Sequence, residues 1–196
     1  AALHLACSFL PGDVAADRCL RSSRGGAHAL ETYLSEILER LPRDIRDFML
    51  DTSILKALSS DACRALTESP DSDDMLELLI HRYQLVDLEG TESPSWTYHP
   101  LVADFLRQRL HKEAPERFVE LQRRAAHWCF AHGRMADAIR HAVSSGDSGL
   151  AAQWTEQCAM RLIMEGNIGT VLGWRRWLPK DLTRSQLPLR LALGWS

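Results

Sequence analysis

The sequence is poor in the features that mark several common classes of protein. No apolar run approaches the ~20 residues needed to cross a membrane, and the opening stretch AALHLACSFLPGD carries no basic leader of the secretory kind. Neither sign of charge dominates. A net charge of −3 on 196 residues argues against a surface given over to nucleic acid or acidic lipid. Five cysteines, Cys7, Cys19, Cys63, Cys129 and Cys158, are odd in number and widely spaced. Without a CxxC pair they exclude a zinc knuckle and a redox dithiol, and they read as small buried hydrophobes of a reducing cytoplasm. SSRGGAHA lacks the Gly-Lys-Ser/Thr of a phosphate loop and follows no strand. No Ser/His/Asp arrangement or paired-carboxylate pattern stands out, so the chain as it stands reads as a non-enzyme.

What is present is helical periodicity. Residues 1–10 read as the end of a helix stopped by Pro11-Gly12. The segment from Asp13 to Ala27, with Arg18, Arg21 and Arg24, reads as a solvated connection in preference to an anion site. Leu30, Tyr33, Leu34, Ile37, Leu38 and Leu41 then fall on one face of a helix closed by Pro42. A second helix, capped by Asp44, places Ile45, Phe48, Met49 and Ile54 inward. A short one carries Ala62, Cys63, Ala65 and Leu66, and the turn Ser69–Ser72 leads into Met75, Leu76, Leu78, Leu79 and Ile80.

Near Leu85 the period changes. Leu85, Val86 and Leu88, then Trp96 and Tyr98, flank the turn-rich GTESPS and predict a β-hairpin. Short helices, a hairpin and one more helix make the order of a winged-helix domain. The later helix of such a domain often meets DNA, but DSDDMLELLIHR is acidic and would repel phosphates. A protein-facing role is expected instead.

Beyond Leu110 only helical stripes remain. Phe118, Leu121, Ala125 and Trp128 form the first, ending at His132-Gly133. Met135, Ala138, Ile139, Ala142 and Val143 form the next, and Ala151, Trp154, Cys158, Leu162 and Ile163 a third. Val171 to Leu178 and a last run from Leu187 complete a stack of helical hairpins with no strict period. The expected fold is therefore mostly α: a winged-helix domain with one small β-hairpin, followed by stacked helical hairpins of TPR-like, α-superhelical type. The domain boundaries are 1–28 (end of a helical region plus linker), 29–112 (winged helix) and 113–196 (helical arm and start of a superhelix).

Two histidine groupings invite chemistry. His127, Cys129, His132 and His141 could suggest a metal, but His127 and His132 are five apart rather than four, and no acidic residue lies between them. They read as structural histidines, and no metal site is assigned. The second is YHPLVADFLRQRL. Pro100 suits the first helical position, which puts His99 at the N-cap. Unpaired amides and the helix dipole favour an anion there. His99 is then either a cap or a phosphate ligand.

Several segments resemble one family: FMLDTSIL, the surroundings of Cys63, WTYHPLVADFLRQRL, AIRHAVSSGD and WLPKDL…LPLRLALGW. Together they are similar to the large ATP-dependent LuxR-type transcriptional regulators of the STAND NTPase class, those like the maltose-regulon activator. The resemblance implies a fragment of a bacterial, cytoplasmic activator. The family order is nucleotide-binding domain, helical domain, winged helix, helical arm, sensor superhelix and a DNA-binding helix-turn-helix. It implies ADP in a closed resting state and ATP with an inducer in an open, self-associating one. The fragment itself would hold no cofactor, touch neither DNA nor membrane, and face the nucleotide-binding domain of its own chain. His99 would correspond to the family's histidine on the ADP β-phosphate, although the flanking Met and Asp of that motif are Tyr98 and Pro100 here. The inducer, a small molecule or a protein, is not named by any residue. The competing expectation is a stand-alone helical-repeat adaptor for a protein partner; an enzyme built on the histidine cluster is the third.

Overall fold

In the computed structural model, residues 26–83, 85–89, 95–166 and 169 are described. Readings that fall on residues 1–25 and 170–196, including the arginines of the linker and the last two apolar runs, lie outside them. The chain divides into two compact units between Pro115 and Glu116.

The first unit contains helices α1 (Gly26–Arg40), α2 (Arg43–Thr52), α3 (Ser60–Thr67) and α4 (Ser72–Glu77). A π-helical segment, Leu78–Tyr83, leads into strands β1 (Val86–Glu89) and β2 (Ser95–Tyr98), and α5 (Pro100–Glu113) follows. The hairpin is antiparallel with Val86 opposite Tyr98 and Leu88 opposite Trp96. A third short stretch joins it: the Leu58 N–H donates to the Trp96 carbonyl at 2.6 Å, extending the ribbon by one bridge.

Local chemistry explains where the elements start and stop. Ser59 is extended and its Oγ accepts from the Ala62 N–H, satisfying one of the unpaired amides that open α3. α1 ends at Arg40, and Pro42 is the N-cap of α2, with no side-chain cap. This corrects the expectation that Asp44 caps α2: Asp44 lies in the first turn, where its charge favours the helix dipole. α1 also begins earlier than its apolar stripe, at Gly26. Ile45, Phe48, Met49, Leu58, Leu66, Leu79 and Leu106 form the buried centre of this unit. The inward face of α5 is Val102, Ala103, Leu106 and Leu110, whereas Leu101 is 47% exposed. Leu101, although apolar, thus lies outside that inward face.

The second unit holds α6 (Pro115–Ala131), α7 (Met135–Ser144) and α8 (Ser148–Met164). The two turns between them share one geometry. Gly133 and Gly146 have φ of +72° and +80°, a region costly for any residue with a Cβ. Their N–H groups donate to Phe130 and Val143, and those of the next residues, Arg134 and Asp147, to Cys129 and Ala142. That is a Schellman closure at both sites. The buried face also repeats. Leu121, Gln122, Ala125 and Ala126 of α6 reappear 33 residues later as Trp154, Thr155, Cys158 and Ala159 of α8, all buried. The helical-hairpin expectation holds, with a period that the residue types conceal.

Among the described residues, the free cysteines Cys63, Cys129 and Cys158 are buried. Burial pushes the Cys63 thiol up to about 12 and that of Cys129 up to about 11. Both thiols should resist alkylation in the folded chain at pH 8, because the thiolate is the reacting form. Labelling should be rapid only in denaturant, with mass spectrometry as the readout. A raised acid pKa stabilises the fold below the unfolded value of 9.0, and that contribution fades as pH climbs towards about 12.

Candidate functional site

His99 stands where β2 turns into α5. Proline at the next position disfavours the α region for the preceding residue, and His99 has φ −52° and ψ 135°. It is the N-cap, as its position in the sequence predicts. Its Nδ1 accepts from the Leu101 N–H at 3.3 Å, and its carbonyl accepts from Val102 and Ala103 at 2.9 and 3.0 Å. Pro100 has no N–H. The opening amides of α5 are therefore engaged within the helix itself. This changes the chemistry available: an anion here would be held by the imidazole Nε2–H, with the helix dipole behind it, and not by a cradle of free backbone donors. With Nδ1 accepting, a neutral ring carries its proton on Nε2.

His99 and Leu101 border an apolar groove. Tyr33, Leu34 and Ile37 of α1 form one wall, and Val102 and Phe105 of α5 the other. The groove is open to solvent on one side, and its inner space is about 40 Å³.

The residue before the histidine makes a buried polar contact. The Tyr98 hydroxyl is 2.8 Å from Thr52 Oγ1, at the end of α2. In the sequence Tyr98 stands only as an apolar member of the hairpin, and no pattern singles out Thr52. Burial pushes the tyrosine hydroxyl well above its ordinary range, so it stays protonated.

The acidic stretch behaves as its composition suggests. Asp71, Asp74 and Glu77 are exposed, while Asp73 pairs with Arg64 of α3. Leu76 and Leu79 turn inward. Below Glu77 the helix widens into the π segment, where sequence reading expects plain α-helix.

The other histidines do not converge. His141 is buried and its Nδ1–H donates to Gln122 Oε1 at 2.6 Å. His132 is exposed and stacks on Trp128 with centroids 4.2 Å apart. His127 and Trp154 form a T-shaped ring contact with centroids 5.6 Å apart. No group of three metal-binding side chains occurs among the described residues, and none of their helices is long and apolar enough to cross a membrane.

Comparison with known proteins agrees with this geometry. Residues 34–118 match the MalT winged helix domain family. The segment is a MalT-type winged helix domain. The match takes in α2 to α5, the hairpin and His99. The whole chain is 33% identical over 199 residues to a serine/threonine-protein kinase, PknK of Mycobacterium tuberculosis H37Rv, covering 18% of that protein. It is 30% identical over 176 residues to the HTH-type transcriptional regulator MalT of Yersinia enterocolitica. That alignment covers 86% of this chain and 19% of the regulator, and MalT of Yersinia pestis gives 29% over the same length. The chain thus spans about a fifth of the relatives it matches, and it fits a fragment of a MalT-like regulator.

Proposed function

We propose that this chain is the conformational switch segment of a larger STAND-class signalling protein. The MalT-type winged helix holds the ADP-bound resting state, and the helical hairpins relay the inducer signal. The carrying observation is the placement of His99 at the α5 N-cap with Nδ1 engaged and Nε2–H left to donate. In this reading Nε2 gives its hydrogen bond to the ADP β-phosphate presented by the nucleotide-binding domain of the same cytoplasmic polypeptide. Replacement of ADP by ATP releases the contact and permits self-association. One relative is named a kinase and another a transcriptional regulator, so the segment common to both serves regulation and not the output chemistry.

The kinase relative also supports a second reading, in which the parent's output is phosphotransfer instead of promoter binding. The remainder of the gene distinguishes the two: a helix-turn-helix favours the first and a kinase domain the second.

In either case the main nucleotide contacts lie elsewhere. Calorimetric titration of this chain with ADP or ATP should give weak binding or none, and a micromolar dissociation constant would contradict the proposal. The same chain should fail to shift duplex DNA at physiological salt, because the exposed carboxylates of α4 oppose the phosphate backbone. For the full-length protein, the test is ADP retention: the wild type should keep bound ADP through gel filtration, and a His99→Ala variant should lose it.

A further inference from the structure

We propose that the buried Thr52–Tyr98 hydroxyl pair is a positioning device for His99. The proposal rests on the switch reading for its consequence, but not for its geometry. Thr52 Oγ1 has a single proton and gives it to the Phe48 carbonyl at 2.7 Å. The Tyr98 hydroxyl is therefore the donor in the 2.8 Å contact between them. This fixes a three-membered order: Tyr98 to Thr52, and Thr52 to the backbone of α2. Both side chains are buried, Thr52 completely and Tyr98 to 6% exposure.

The need for such an anchor follows from the sheet. β2 is four residues long and, among the described residues, its ladder partner is β1 alone, apart from the Leu58 bridge at Trp96. A two-stranded ribbon is marginal by itself. The bridge secures β2 near its middle, and at the Tyr98 end the ladder offers only Val86. The tyrosine hydroxyl ties that end to α2, 46 residues earlier in the chain. Tyr98 is covalently next to His99, and Pro100 restricts the far side of His99. Between these two constraints the imidazole has a set height and direction, with Nδ1 on the Leu101 N–H. Neither Thr52 nor Tyr98 touches any ligand in this account. They act through His99.

The test uses two readouts. On this chain, amide exchange at Leu101 and the ¹⁵N shifts of the His99 ring report the cap without any nucleotide. Tyr98→Phe keeps the ring and removes the donor. It should speed Leu101 exchange by about two- to tenfold, the range expected for one ordinary net hydrogen bond, and move the His99 Nδ1 signal. Thr52→Val should do the same, and Thr52→Ser, which keeps a hydroxyl, should restore wild-type behaviour. The Val/Ser pair carries the test if Tyr98→Phe folds poorly. On the full-length protein, Tyr98→Phe should raise the ADP off-rate by a similar factor, and should add nothing in a His99→Ala background. A structural role alone would lower melting temperature equally in both backgrounds and leave the His99 signals in place. Unchanged Leu101 exchange and ring shifts in a folded Tyr98→Phe chain would overturn the proposal. Altered signals with an ADP off-rate insensitive to His99→Ala would support the positioning and defeat the switch reading, so the two fail separately.

Discussion

Replacing His99 with alanine in the full-length protein is expected to release ADP and raise output without inducer. A hydrogen bond to a charged group contributes about 1.5–3 kcal/mol. If that contact exists only in the closed state, its loss shifts the closed-to-open equilibrium roughly ten- to a hundredfold. The same substitution also removes the Nδ1 cap on Leu101, and loss of an N-cap costs about 0.5–2 kcal/mol of stability. A fall in melting temperature is therefore expected from either role, and alanine alone does not separate them. His99→Asp does. Aspartate is a good N-cap and suits the helix dipole, so the fold should keep its stability. It has no donor and its charge opposes a phosphate, so ADP should leave at least as fast as from the alanine variant. Stable folding with fast release is the signature of a phosphate contact. Stable folding with unchanged release would leave His99 as a cap and nothing more.

The largest expected effect on folding lies in the second unit. Trp154 is buried, stacks on Phe130 with centroids 4.4 Å apart, and makes a T-shaped contact with His127. Around it pack Ala138, Ile139, Ala142 and Ala151, all fully buried, and the half-buried Phe130. The three alanines among them have no side chain long enough to swing in and fill a vacated indole. Trp154→Ala should cost about 3–5 kcal/mol, the cost of deleting a large buried aromatic. Against a domain stability of about 5–15 kcal/mol, that is enough to unfold a marginal unit. Thermal denaturation followed by tryptophan fluorescence and circular dichroism should show a large drop in the transition assigned to the helical hairpins. A change under about 1 kcal/mol would mean that this core is looser than its burial indicates. Phe130→Leu, which keeps apolar volume but loses the ring stack, should cost much less.

Much of this architecture is legible in the sequence because period is a backbone property. The shift from helical spacing to alternation at Val86 and Leu88 marks the hairpin, and Pro100 after His99 marks the start of α5. Both places follow from sterics that hold in any surroundings. Other features depend on what lies across the core. Leu101 sits at a plausible apolar position and yet is exposed, because the inward face of α5 is set by Val102, Leu106 and Leu110 against the rest of the unit. The Leu58 bridge involves one residue and has no pattern to betray it. The 33-residue repeat is hidden for a different reason. Leu121 with Trp154 and Gln122 with Thr155 occupy equivalent buried places but share little chemistry. The Thr52–Tyr98 contact pairs residues 46 positions apart, and neither residue type announces a partner at that range. At His99 the sequence correctly yields the cap, while the free-amide rationale for anion binding does not survive. Leu101, Val102 and Ala103 already give their protons to His99 itself.

The central claim is that His99 reaches a nucleotide phosphate in the resting protein. A structure of the full-length protein loaded with ADP tests it most directly. The account predicts His99 Nε2 within about 2.7–3.2 Å of a β-phosphate oxygen, with Nδ1 still accepting from Leu101. A His99 ring that points to solvent or into the apolar groove while ADP is bound would contradict it.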